Sequence, residues 1–269
     1  MPDLPHRRGD LVRALVTCMV VVPTYQEAAG IRGFLEDLLD HTVPSLVDGL
    51  LVEVLVVDDA SPDGTGDLVA AHPEFGRRVR LLRRAGKDGL GNAYRAGIRE
   101  ALRAGADVVV QMDADGSHRP ADLPALLRAV RGNDLVIGSR YVAGGSTLHW
   151  PRRRRALSRA ANTYARRMLG LRTHDATAGF RAWRAEAVLR AGVLSTTTDG
   201  YGFQVENTWN AERGGLRVAE VPICFVERVQ GASKMSTSTA LEALAAVARW
   251  RLTPSPVAAP TPSPVRTGR

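Results

Sequence analysis

Three nearly continuous apolar runs, each rich in β-branched residues and each ending in or next to acidic or turn residues, constrain this chain most. They read "LVTCMVVVP", "LVEVLVVDD" and "ADVVVQMD". An exposed sheet face would impose strict apolar–polar alternation, and these runs lack it, so both faces of their sheet are covered. Segments of helical periodicity stand between them: "AAGIRGFLEDLLDHT", "DGTGDLVAAHP", "GLGNAYRAGIREALRAG" and "PADLPALLRAVRG". Together with the strand-like "RVRLLRR" and "DLVIGSRY", they spell an α/β fold with a mostly parallel central sheet. Ligands of such sheets bind beyond the carboxyl ends of the strands. The acidic pairs lie at those ends, Asp58 and Asp59 after one strand and Asp113 and Asp115 after another.

The second half is less regular. "RRALSRAANTYARRMLG" places Leu157, Ala160, Ala161, Tyr164, Ala165 and Met168 at helical spacing, with arginines on the remaining positions. "AGFRAWR" and "LRVAEVPICFVERV" read as strands flanking a helix at "FQVENTWNAERGG". "STSTALEALAAVARW" reads as a last helix, in which Thr239 and Glu242 have capping-box spacing. From residue 253 the chain turns Pro-rich, the composition of a disordered tail. The expected organisation is an N-terminal segment 1–16, a domain 17–236, a helix 237–252 and the tail 253–269. Within the domain lie a basic amphipathic helix at 152–170 and a loop at 227–236.

A formal net charge of +8 suggests an anionic partner, whether phosphorylated substrate, nucleic acid or membrane surface. Cys18 and Cys224 sit in apolar strand-like runs and read as buried free thiols. The start has no apolar secretory region, and no stretch reaches the roughly 18 apolar residues that a spanning helix needs. The expected location is therefore cytoplasmic, with surface attachment to a membrane left open.

Asp113 and Asp115 are two residues apart in an extended segment, so both carboxylates can face the same way. Such a pair repels itself unless a proton or a cation intervenes. Oxygen ligands suit Mg²⁺ or Mn²⁺, ions that commonly bridge to substrate phosphates. A solvated turn with capping aspartates is the plainer alternative for a lone D-x-D.

The ordered set "VVPTYQE", "VVDDASPDGT", "GLGNAYRAG" and "DADGSHRP" resembles the family 2 glycosyltransferases of GT-A fold, and among them the polyprenol-phosphate (dolichol-phosphate) mannose synthases. "IGSRY", "DATAGFRAWR", "GYGFQVE" and "VPICFVERVQGASKMS" continue the likeness over roughly residues 17–236. Gln26 departs from a usual Asn, Ala178 from a common Ser and Glu227 from a common Asp. The resemblance implies mannose transfer from GDP-mannose to polyprenyl phosphate with inversion, supplying lipid-linked mannose. Pro23, Tyr25, Glu27, Val56 and Asp58 would line the base and ribose. Asp113, Ala114 and Asp115 would meet the sugar diphosphate and a divalent cation, Mg²⁺ or Mn²⁺. Arg140, Arg228 and Lys234 would approach the phosphates. Arg152, Arg153, Arg154, Arg155 and Ser233 would contact the acceptor and the membrane. The expected partners are GDP-mannose, polyprenyl phosphate, a membrane surface at its cytoplasmic face and an integral membrane partner, with no nucleic acid. A UDP-glucose-dependent polyprenyl-phosphate glucosyltransferase and a non-catalytic nucleic-acid-binding module are the alternatives.

Overall fold

The computed structural model describes residues 16–42, 49–227 and 237–252. Its first half follows the sequence expectation closely. β1 (Val16–Thr24) leads to α1 (Ile31–Glu36), which continues as wider helical turns to Thr42. Next come β2 (Leu50–Asp58), α2 (Thr65–Ala70), β3 (Val79–Arg83), α3 (Leu90–Arg103) and β4 (Val108–Gln111). α4 (Leu123–Ala129), entered through a tight turn at Pro120–Asp122, precedes β5 (Leu135–Ser139). The strand order β3-β2-β1-β4 is parallel throughout.

The apolar runs are nearly continuous because the sheet is buried on both faces. On β1, Cys18, Val20 and Val22 pack with Ile31, Leu35 and Leu38 on one side. Met19 and Val21 pack with Tyr94 and Ile98 on the other. α3 lies very close to the sheet at Gly97: a Cβ there would stand 2.3 Å from Val21 Cγ1 and 2.7 Å from Val57 Cγ2. Burial pushes the Cys18 thiol up to about 12, so it stays protonated. Cys224, expected buried, is half-buried, and both cysteines are free thiols.

β6 (Ser146–Leu148) and α5 (Arg152–Leu169) follow, then β7 (Arg181–Arg184), α6 (Ala185–Arg190), α7 (Gly200–Arg213), β8 (Val218–Pro222), β9 (Cys224–Val226) and α8 (Thr237–Leu252). β7 inserts between β4 and β5, antiparallel to both, and β8 closes that edge parallel to β5. "LRVAEVPICFVERV" reads as one strand but forms two. Pro222 has no N–H to extend the ladder, and Ile223 divides its backbone between two sheets. Its N–H donates to Ser139 O, while its carbonyl accepts from Ser146 N. The Ile223 side chain fits against Gly138, leaving no room for a Cβ there. β9 then pairs with β6 in a separate two-stranded sheet.

The apolar stripe of α5 divides along its length. Tyr164, Ala165 and Met168 join a cluster with Trp209 of α7 and Val247 and Trp250 of α8. Leu157, at the other end, is 58% exposed. Among the described residues no helix is long and apolar enough to cross a membrane. The expected Pro-rich tail, the N-terminal segment and the loop after Glu227 lie outside the described residues, as do the side chains of Thr239 and Glu242.

Candidate active site

A cavity of about 440 Å³ opens beyond the carboxyl ends of β1, β2 and β4. Pro23, Tyr25 and Glu27 reach its wall from the end of β1, and Asp113, Ala114 and Asp115 from the end of β4. Two loops of its rim are tied together. Gln26 N donates to Ser61 Oγ at 3.0 Å, and Ala28 N donates to Asp63 Oδ2 at 3.0 Å. Both loops carry a non-glycine residue at positive φ, Gln26 at 59° and Ala60 at 53°. Asp63 does not cap α2 from the N-cap position, which Gly64 occupies; it accepts instead from Thr65 N and Oγ1.

Val56 and Asp58 do not line the cavity. Val56 is wholly buried in the core. Asp58 is 1% exposed and accepts from Thr24 Oγ1 and from Ser61 N and Oγ, which makes it a brace under the β1 and β2 loops. Its neighbour Asp59 takes the lining position. Asp59 is paired with Arg84 Nη1 at 2.6 Å. Burial raises the Asp59 carboxyl above its usual value, against the opposing pull of Arg84. Lys87 lies 4.2 Å over the Tyr25 ring, so a cation and an aromatic face share that part of the wall.

Asp113 and Asp115 face the same cavity, as their spacing predicted. Asp115 Oδ1 accepts from Ser117 N at 3.0 Å. Asp113 Oδ1 accepts from the hydroxyl of Tyr94, and Asp113 N donates to His118 Nδ1 at 3.0 Å. Among the described residues no third His, Cys, Asp or Glu completes a metal-sized cluster. Two carboxylates opening on a cavity nevertheless fit a hard divalent ion, because Mg²⁺-type sites typically combine one or two carboxylates with substrate phosphate and water.

Arg140 lines the same cavity, 6% exposed and locked to fully buried Asp175. Its backbone N, Nε and Nη2 donate to the Asp175 carboxylate at 2.9, 2.8 and 2.6 Å. Burial raises Asp175, but the Arg140 charge and hydrogen bonds outweigh it and hold the carboxyl below the usual range. Trp150 and Phe225 flank the guanidinium at 5.4 Å.

The four consecutive arginines separate. Arg152 and Arg153 are exposed. Arg154 lines the cavity, pairs with Glu227 at 2.7 Å and lies 4.3 Å over Trp150. Arg155 donates to Thr147 Oγ1 and O, fastening α5 to β6. Arg228, Ser233 and Lys234 lie outside the described residues; the chain enters that segment from Glu227, itself in the cavity wall. Asp199 also lines the cavity, a residue that directly precedes the motif "GYGFQVE" but was not among the expected site residues. It accepts from Gly91 N, and a Cβ on Gly89 would stand 2.1 Å from its Oδ2. The two glycines of "GLG" thus admit a carboxylate against the start of α3.

The sequence pattern described as glycosyl transferase family 2 matches residues 19–190, from within β1 to the end of α6. The chain belongs to that family. Its relatives include a protein named undecaprenyl-phosphate mannosyltransferase from Micrococcus luteus, 48% identical over 234 residues, 87% of this chain and 93% of that one. A polyprenol monophosphomannose synthase from Mycolicibacterium smegmatis is 46% identical over 244 residues, covering 89% and 88% of the two chains. Among solved structures, glucosyl-3-phosphoglycerate synthase from Mycobacterium tuberculosis, in complex with Mn²⁺, UDP-glucose and phosphoglyceric acid, superposes with a TM-score of 0.65. It is 22% identical, over 88% of this chain and 80% of that one, a likeness of fold. This family 2 glycosyltransferase is accordingly an α/β protein of GT-A type, with its cavity where the fold places the strand ends.

Proposed function

We propose that this glycosyltransferase moves mannose from GDP-mannose to the phosphate of a polyprenyl phosphate, inverting the anomeric centre. One observation carries the reading: Asp113 and Asp115 line a single cavity together with Arg140 and Arg154. That arrangement suits a reaction between two anions, a nucleoside diphosphate sugar and a lipid phosphate. The names of the two close relatives point to the same substrate class.

Pro23, Tyr25, Glu27 and Asp59 would receive the nucleoside, with Asp58 bracing their loops. Asp113 and Asp115, flanking Ala114, would hold Mg²⁺ or Mn²⁺. The bound ion would offset the charge that develops on the departing diphosphate. Arg140 is a buried guanidinium held in place through Nε and Nη2 by Asp175 and Thr177, a permanent positive charge suited to a phosphate. Arg154 would exchange its Glu227 partner for the acceptor phosphate. Arg228, Ser233 and Lys234 would add donors from the segment after Glu227. No general base is needed, because a phosphate monoester with a second pKa near ~6 is already largely dianionic at neutral pH. Arg152, Arg153 and exposed Leu157 would meet headgroups and acyl chains at the cytoplasmic face of a membrane, where an integral membrane partner would help to anchor the chain.

The test is incubation of purified protein with polyprenyl phosphate and a panel containing GDP-mannose and UDP-glucose. A lipid-linked mannose product is the expected result. Transfer from UDP-glucose alone refutes the donor, and salt-dependent DNA binding without any sugar-nucleotide binding refutes the enzyme reading.

A further inference from the structure

Tyr94 lies in "GLGNAYRAG", a stretch that the fold explains only in part. Its ring is fully buried on α3 and stacks on Phe203 of α7, with centroids 6.1 Å apart and planes within 4°. A phenylalanine would pack equally well there. The hydroxyl does something packing does not require: it donates to Asp113 Oδ1 at 2.7 Å.

Asp113 is held at a second point. Its backbone N–H donates to His118 Nδ1, and the His118 ring is itself wedged between Phe180 at 5.2 Å and Phe225 at 5.4 Å. The main chain is thus fixed by His118, and one carboxylate oxygen by Tyr94. The other oxygen, Oδ2, lies 3.6 Å from where a Cβ on Gly179 would stand, and Gly179 is part of the cavity wall. The terminal torsion of an aspartate is broad when nothing restrains it. A donor on one oxygen removes that freedom and presents the other.

We infer that Tyr94 is a positioning residue, whose hydroxyl orients the Asp113 carboxylate for a divalent cation and so sets the cation affinity of the site. This rests on the reading of Asp113 and Asp115 as the metal carboxylates. Hydrogen-bond partners of ligating groups typically contribute about 10–100-fold to metal affinity.

Tyr94→Phe keeps the ring, the stack and the burial and removes one oxygen. Mn²⁺ is titrated into the purified chain, with and without GDP, while the electron paramagnetic resonance signal of the free ion is followed. Transfer rates are measured in parallel against Mn²⁺ concentration. The variant should bind Mn²⁺ about 10–100-fold more weakly. Its half-saturating Mn²⁺ concentration should rise to match, with kcat restored at saturating metal and the melting temperature unchanged without metal. Placing 4-aminophenylalanine at position 94 returns an N–H donor to the same point and should return the affinity. That arm also decides the matter if the phenylalanine variant fails to fold. A Tyr94→Phe protein with wild-type Mn²⁺ affinity overturns the role of Tyr94 alone, as does a folded amino variant that stays weak. A wild-type chain that takes up no Mn²⁺ overturns the metal reading, and this role with it.

Discussion

Replacing Asp175 by Asn tests the ion pair that fixes Arg140 in the cavity wall. The carboxylate is fully buried and collects three donors from Arg140, at 2.6 to 2.9 Å. Asn has the same shape and keeps one acceptor oxygen. It replaces the other oxygen with an NH₂ group that confronts N–H donors, and it leaves the guanidinium without its counter-charge. Removing one partner of a buried pair costs about 3–5 kcal/mol, and the retained acceptor puts Asn at the lower end, ~3 kcal/mol. At this chain size each kcal/mol shifts Tm by about 2–4 °C, so the variant should melt roughly 6–12 °C lower. The pH dependence follows from the direction of the shift. The folded carboxyl lies below its unfolded value of 3.8, so the pair's contribution is fully present above that value. It is lost as pH falls through the folded pKa. Asn does not titrate, so the gap in Tm should be wide at neutral pH and should close in acid. Scanning calorimetry of both proteins from neutral pH to below 3.8 measures this. An Asn variant that melts with the wild type at neutral pH, or a gap that persists undiminished in acid, refutes the reasoning.

Asp115→Ala should lower the transfer rate by about 10²–10³ with an unchanged melting profile, and near-normal turnover in the variant or in excess EDTA would remove the metal assignment. Neutralising Arg152 and Arg153 should weaken sedimentation with anionic vesicles, by on the order of 1 kcal/mol each at low salt. Neutralising Arg155, already bonded to Thr147, should change vesicle binding less; equal effects at all three positions would contradict the division of the run. Gln26→Asn should raise stability by about 0.5–1 kcal/mol, because Asn tolerates the left-handed region better than Gln, and a lower Tm would refute that account. Gln26 holds φ 59° at the point where the sequence departs from the usual Asn.

The parallel half of the sheet was legible because double-sided burial writes itself as nearly continuous apolar runs, and β1, β2 and β4 each carry one. β6 and β9 span three residues each, too few for any periodicity to register. The break between β8 and β9 has a local mark in Pro222, but the switch of sheets at Ile223 involves its contact with Gly138, 85 residues away in sequence, which no local pattern encodes. β7 was visible as a strand, but its antiparallel direction follows from the path of α5 and the loop after it.

At the site, the acidic strand ends pointed to the edge of the sheet where the cavity opens, but not to which of the two adjacent aspartates after β2 lines it. Adjacent residues of an extended chain face opposite ways, so choosing between Asp58 and Asp59 is a choice of parity, which the acidic pair itself does not settle. The arginine run poses the same problem on a helix. Four consecutive helical residues span about 300° of the helix circumference, so they cannot all address one surface. A run of four arginines at the start of α5 must therefore be shared among environments, whichever way the helix is turned. The packing of Trp150 and the position of Glu227 turn Arg154 into the cavity, and Thr147 takes Arg155. Only Arg152 and Arg153 are left to face outward. A membrane role for the whole run would have required the cavity to give up Arg154, the one arginine of the four that lines it.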